Sequence, residues 1–150
     1  MIEIKGNILD VQQGFVCHQV NCQGVMGAGL AKGIRLKWPR VYNDYMSAFQ
    51  RGDLKLGQVV FTTIAANKLY IANLCGQHDY GSPSIKRPWT DYDSLSQCLS
   101  KVEDWRKVVG EGKLPVYIPY KIGCGLGGGD WSVVEGIIKR KTPTAVIVKL

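Results

Sequence analysis

Twice along this chain a dense apolar run passes at once into glycines and then into a helical period. FVCHQVN at 15–21 leads to Gly24, Gly27 and Gly29 and on to a helix reaching towards Pro39. Val116, Ile118 and the residues to Ile122 lead to Gly123, Gly125, Gly127, Gly128 and Gly129 and on to a helix over 131–139. A run that is apolar on both faces suits a strand buried in the middle of a sheet, so each stretch reads as strand, turn and helix. Units of that kind pack as a sheet with helices laid against it.

The rest of the chain fits the same plan. Ile2 and Ile4 alternate as a short edge strand, and Val41, Tyr45, Met46 and Phe49 fall at helical spacing before Gly52. The runs at 59–65 and 69–74 form a hairpin with Asn67 at its turn. CGQHDYGSPSIKRPW, at 75–89, has no period and reads as a long loop. Thr90 with Asp93 resembles a capping box for a helix that buries Leu95, Leu99 and Val102 and fades near Gly110 and Gly112. Val134, Ile137 and Ile138 point inward from the helix at 131–139, and residues 145–148 close the sheet as a last strand. The expected fold is α/β, a three-layer α/β/α sandwich with a mixed central sheet.

With 150 residues, 45% of them hydrophobic, the chain has material for one core, and we expect a single domain over residues 1–150. No stretch approaches the roughly 18 apolar residues of a membrane helix, and MIEIKGNILD lacks the pattern of a signal peptide. The expectation is a cytoplasmic monomer that makes no use of membranes. Five cysteines, none in a CxxC pair, suit reduced and mostly buried thiols, with Cys124 the sole candidate for a reactive one because it lies among the glycines. His18 and His78 are far apart and no ligand spacing is present, so neither a metal nor a cofactor is expected.

A formal charge of +7 favours an anionic partner. Its carriers are scattered: Lys32, Arg35, Lys37 and Arg40, then Lys86 and Arg87, then Lys139, Arg140 and Lys141. Without interleaved aromatics or a reading motif they suit solvated helix faces, and nucleic-acid binding is not the favoured main role. The glycine turns are more specific. Ligands of open α/β sheets collect beyond the carboxyl ends of strands, where a following helix offers unpaired N–H groups and the positive end of its dipole. Glycine lets the main chain approach an oxygen and curl consecutive N–H groups into an anion nest. Two such turns suit the two halves of a diphosphate, although neither matches a Walker A loop or GxGxxG.

Three motifs carry a family resemblance: KGNIL at 5–9, HQVNCQGVMGAGLA at 18–31 and IGCGLGGGDW at 122–131. In this order and spacing, over nearly the whole chain, they resemble the macrodomain family. The resemblance implies a cleft that binds ADP-ribose. It is strongest to the branch holding ADP-ribose-1″-phosphate phosphatases and the hydrolases that remove ADP-ribose from glutamate or nucleobases. Carried over residue by residue, it implies that Asn7 and Ile8 hold the adenine and that Asn21 faces the distal ribose. It further implies a first phosphate loop at Gly27, Ala28 and Gly29, and a second at Gly123, Cys124, Gly125, Leu126, Gly127 and Gly128.

Two departures bear on the chemistry. Glutamate-hydrolase members carry a lysine where Cys75, Gly76 and Gln77 stand, and an acid where Gly127 stands. Both argue against a lysine-dependent route, unless Lys86 reaches in from the same loop. The titratable groups expected near the distal ribose are His18 and Asp130. His18 suits proton transfer or a hydrogen-bonded place in the core; Asp130 suits orienting water or capping the helix that begins at Trp131. His18, Asn21 and Asp130 are therefore the catalytic candidates, and the leading reading is a phosphatase acting on ADP-ribose-1″-phosphate. Removal of ADP-ribose from an acidic side chain or a nucleobase, and non-catalytic reading of ADP-ribose, are the alternatives. His78 and Asp79 read as exposed polar residues, and Trp131 as support for the loop.

Overall fold

In the computed structural model, which describes residues 1–81 and 89–150, the two strand, turn and helix units lie side by side. The opening alternation forms β1 (Ile2–Lys5), and FVCHQVN forms β2 (Gly14–Val20), with six of its seven residues buried. The first helix, α1 (Gly29–Lys37), stops before Pro39, which itself opens α2 (Pro39–Gln50). The second helix thus begins two residues ahead of the expected start, because proline lacks the N–H that a first turn would leave unpaired. Gly52 follows at φ 75°, its N–H reaching Phe49 O at 3.0 Å.

The hairpin is β3 (Val59–Ala65) and β4 (Leu69–Cys75), turning through Asn67 at φ 57°. Next comes α3 (Tyr92–Arg106), with Leu95, Leu99 and Val102 fully buried. Its start corrects the sequence reading: the cap is Asp91, whose carboxylate accepts from Ser94 N at 2.9 Å, and Thr90 is engaged elsewhere. The strand expected to run on to Ile122 ends earlier as β5 (Val116–Pro119), because Lys121, at φ 60°, swings the chain out of the sheet. The last elements are α4 (Trp131–Lys141) and β6 (Val146–Lys149).

The sheet runs β1-β6-β5-β2-β4-β3, all parallel except β3, which pairs antiparallel with β4. One face packs Val16, Val20, Ile71 and Cys75 on Ile34 of α1 and Val41 and Tyr45 of α2. The other packs Phe15, Cys17, Tyr70 and Leu74 on Leu95 and Leu99 of α3 and Val134 and Ile138 of α4. Each large aliphatic side chain buried this way contributes about 2 kcal/mol. These two layers make the mixed α/β/α sandwich that the periodicities imply. At the amino end of the central strands Phe15 stacks on Tyr70, ring centroids 5.0 Å apart, and Trp105 meets Phe61 at 4.2 Å. The carboxyl end is left for the loops. Among the described residues no helix is long and apolar enough to cross a membrane.

Candidate functional site

Parallel pairing of β2 with β5, Phe15 opposite Val116, brings both glycine turns to one rim of the sheet. Between them lies a cleft of about 760 Å³. On one side α1 begins uncapped: Ala28 at its N-cap has no side chain to offer, and no acid stands in the first turn. The N–H groups of Gly29, Leu30 and Ala31 therefore have no main-chain or side-chain acceptor among the described residues, and all three residues line the cleft. A helix start in that state is a site for an anion.

The facing loop is built in the same sense. Its carbonyls are occupied from within: Lys121 O accepts from Cys124 N, Gly125 O from Gly128 N, Gly123 O from Gly129 N, and Gly127 O from Thr90 N, at 2.8 to 3.0 Å. The N–H groups of Gly125, Leu126 and Gly127 are left without an acceptor among the described residues, and these residues too line the cleft. Glycine is demanded here by the loop's packing as well as by a ligand. Gly123 and Gly128 sit at φ 72° and 71°, and a Cβ on Gly127 would lie 2.5 Å from Thr90 Oγ1 and 2.7 Å from Gly123 O. Lys121 also lines the cleft, its Nζ 5.5 Å from the ring centre of Tyr120, with Lys149 Nζ 4.5 Å from the same ring. Both ammonium groups add positive potential to that rim.

At the floor, Asn21 organises the first turn. Its Oδ1 accepts from Gln23 N at 2.9 Å and from the buried Tyr45 hydroxyl at 2.9 Å, and its Nδ2 donates to Val25 O at 2.8 Å. The second Nδ2 hydrogen remains for a ligand. His18 lines the cleft from β2, only 2% exposed, with Nε2 against Asn73 Oδ1. That contact places the ring proton on Nε2, and Nδ1, which has no partner among the described residues, carries the lone pair. Burial pulls the imidazole pKa down to about 4, against the opposing pull of the Asn73 hydrogen bond, so the ring is neutral at neutral pH.

The cleft gathers His18, Asn21, Gly27, Ala28, Gly29, Gly123, Gly125, Leu126 and Gly127, and leaves out five other residues singled out from the sequence. Asn7 caps the short turn Ile8–Asp10 by accepting from Leu9 N at 3.0 Å, and Ile8 is buried in the core on the α1 side. Cys124 donates its thiol to Ile122 O at 3.4 Å, and burial pushes its pKa up to about 11, so it is a protonated packing thiol. Gly128 turns the loop outside the lining. Asp130 is exposed, and its Oδ1 accepts from Ser132 Oγ at 2.7 Å and Ser132 N at 2.8 Å as the cap of α4, bonds that also lower its pKa. Helix capping, which the sequence reading offered beside catalysis, engages one of the two carboxylate oxygens.

Trp131 packs edge to face on Tyr120, centroids 5.1 Å apart. The His78 carbonyl accepts from Cys22 N at 3.0 Å, tying the loop after β4 to the first turn. Lys86 and Arg87 lie outside the described residues. Among those described, no group of three His, Cys, Asp or Glu is placed to hold a metal. Gln19, Tyr80 and Lys121, which the sequence reading did not single out, also line the cleft, as does Gln77. Gln19 stood beside His18 in the motif, but its partners come from residues 77 and 90, so only the sheet register reveals it.

No protein-family model matches the chain. An uncharacterized 17.5 kDa protein of Enterobacteria phage T4 is 31% identical over 153 residues, covering 97% of this chain and 92% of the relative. A DNA ADP-ribosyl glycohydrolase of Mycobacterium tuberculosis is 27% identical over 133 residues, 87% of this chain but 35% of the relative, so the chain spans about a third of that protein. An ADP-ribose 1″-phosphate phosphatase of Candida albicans is 25% identical over 126 residues, 83% of this chain and 80% of the relative. Among solved structures, a Bacteroides thetaiotaomicron protein of unknown function superposes with a TM-score of 0.86 at 33% identity, covering 99% of this chain and 97% of its own. A macrodomain protein from Streptomyces coelicolor gives 0.78 at 24% identity, covering 99% and 97%. Thermosipho africanus DarTG in complex with ADP-ribose gives 0.75 at 22% identity, covering 99% of this chain and 41% of that one.

Proposed function

We propose that the chain is a macrodomain whose cleft binds ADP-ribose and hydrolyses a bond at the distal ribose. One observation carries the binding. Two sets of three N–H groups without an acceptor among the described residues, Gly29 to Ala31 and Gly125 to Gly127, belong to residues lining one cleft, an arrangement that suits a pyrophosphate. Asn21, with one amide hydrogen free beside His18, is the residue assigned to the distal ribose.

The bond we assign is the phosphate ester of ADP-ribose-1″-phosphate. Water attacks phosphorus in line, the bond from phosphorus to the anomeric oxygen breaks, and ADP-ribose and phosphate leave. His18 Nδ1, neutral and with no partner among the described residues, takes the proton from the attacking water and gives it to the departing anomeric oxygen, which leaves the ring neutral again. The run Cys75, Gly76 and Gln77, which ends β4 and leaves it, has no lysine and favours this route over a lysine-dependent one.

A specific observation favours a second reading: the alignments with DNA ADP-ribosyl glycohydrolases run over 87 to 91% of this chain. The experiment is one incubation series with ADP-ribose-1″-phosphate, ADP-ribosylated DNA and an ADP-ribosylated glutamate peptide, followed by product analysis. We expect phosphate release from the first, lost in His18→Ala and kept in Asp130→Ala. Release of ADP-ribose from DNA with no phosphate release would replace the phosphatase by the glycohydrolase. Calorimetric binding of ADP-ribose without any turnover would make the protein a reader.

A further inference from the structure

Thr90 stands outside the cleft, 5% exposed, yet it holds the second glycine loop at two points. Its hydroxyl donates to Gly123 O at 2.6 Å, and its N–H donates to Gly127 O at 3.0 Å. These two carbonyls bracket the N–H groups of Gly125, Leu126 and Gly127, which have no acceptor among the described residues. An anion nest fails if a carbonyl oxygen turns into it, because amide and phosphate oxygens repel. The direction of the hydroxyl is fixed from behind. Gln19 Nε2 donates to Thr90 Oγ1 at 2.8 Å and to Gln77 Oε1 at 2.8 Å, so the single hydroxyl proton is left for Gly123. The Thr90 main chain is itself anchored, bridging Gln77 in antiparallel sense, while Asp91 N bonds Gly76 O at 2.7 Å.

We infer that Thr90, oriented by Gln19, is the positioning residue of the phosphate loop: the relay from Gln19 through Thr90 to Gly123 keeps carbonyl oxygens out of the nest. The inference rests on the ADP-ribose reading for its ligand, but the loop geometry it asserts exists without one. It reaches beyond glycine content, because Gly123 O, held also by Gly129 N at 2.8 Å, takes its second donor from Thr90, and Gly127 O takes from Thr90 its one donor among the described residues.

The test compares Thr90→Val, which keeps the shape and removes the hydroxyl, with Thr90→Ser, which restores it. Calorimetry with ADP-ribose should show binding about tenfold weaker in Thr90→Val, the scale of one lost hydrogen bond, and near the parent in Thr90→Ser. In the unliganded proteins, the amide resonances of Gly125, Leu126 and Gly127 should move in Thr90→Val and return in Thr90→Ser. Thr90→Ala, which keeps the N–H bond to Gly127, takes the place of the valine variant should that one fail to fold. Parent-like affinity and parent-like resonances in the variants lacking the hydroxyl would overturn the inference, as would a serine variant as weak as the valine one. A parent protein giving no heat with ADP-ribose would sink the ligand reading instead, and the unliganded spectra would still decide the relay.

Discussion

Gly127→Ala separates what the loop needs for its own packing from what a ligand needs. The added methyl would lie 2.5 Å from Thr90 Oγ1 and 2.7 Å from Gly123 O, against an ordinary contact of about 3.4 Å or more, and neither atom is the tip of a flexible chain. Relieving both contacts parts Thr90 from the loop, removing the hydroxyl bond to Gly123 O and the N–H bond to Gly127 O. At about 1 kcal/mol for each bond and about 1 more for residual strain, less about 0.5 to 1 kcal/mol gained by restricting the unfolded chain, the net loss is about 2 kcal/mol. For a domain of 150 residues that lowers Tm by about 4 to 8 °C. Gly125→Ala is the control: nothing lies within 4 Å of its Cβ position and its φ is not positive, so its melting should match the parent. Differential scanning calorimetry reads both. A Gly127→Ala protein that melts within a degree of the parent would refute the close-packing argument, and so would equal losses in the two variants.

The buried, neutral His18 makes stability fall as pH falls. The unfolded chain binds its proton near pH 6.5 and the folded protein only near pH 4, so protonation favours unfolding across that window, by about 3 kcal/mol in full. Urea midpoints taken between pH 7 and pH 4 should drop more steeply for the parent than for His18→Gln, and parallel profiles would show that the histidine is not held neutral. Tyr45→Phe deletes the hydroxyl that reaches Asn21 O at 2.6 Å and Asn21 Oδ1 at 2.9 Å. Leaving a buried carbonyl short of its donor costs about 1 to 2 kcal/mol, so Tm should fall by a few degrees while ADP-ribose binding weakens through a looser Asn21. An unchanged Tm would mean that the first turn holds itself without the tyrosine.

Helix faces and glycine turns were readable because their signals are local. Leu95, Leu99 and Val102, and Val134, Ile137 and Ile138, repeat within a turn or two, and each set is buried as its spacing implies. Asn67 announces its left-handed turn by its own side-chain chemistry. Thr90 was misread for the same reason. A threonine followed three positions later by an acid fits a capping box, but its hydroxyl finds Gly123, 33 residues onward, once β2, β4 and β5 are in register. Asp130 was legible in part: its place before Trp131 suggested capping as well as chemistry, and its Oδ1 caps α4. The orphan lone pair of His18 depends on its cross-strand partner Asn73, 55 positions away, and no pattern within the motif encodes that distance.

The pairing of β1 with β6 has a bearing on how the protein is made. Residues 2–5 leave the ribosome before their neighbour in the sheet, residues 146–149, so the strand waits unpaired while everything between is translated. Closing so long a loop is entropically slow, and the sheet is therefore zipped at that edge only after β2, β4 and β5 can already have assembled. The rim that carries the cleft can thus take shape on a nascent chain while β1 is still searching for its place.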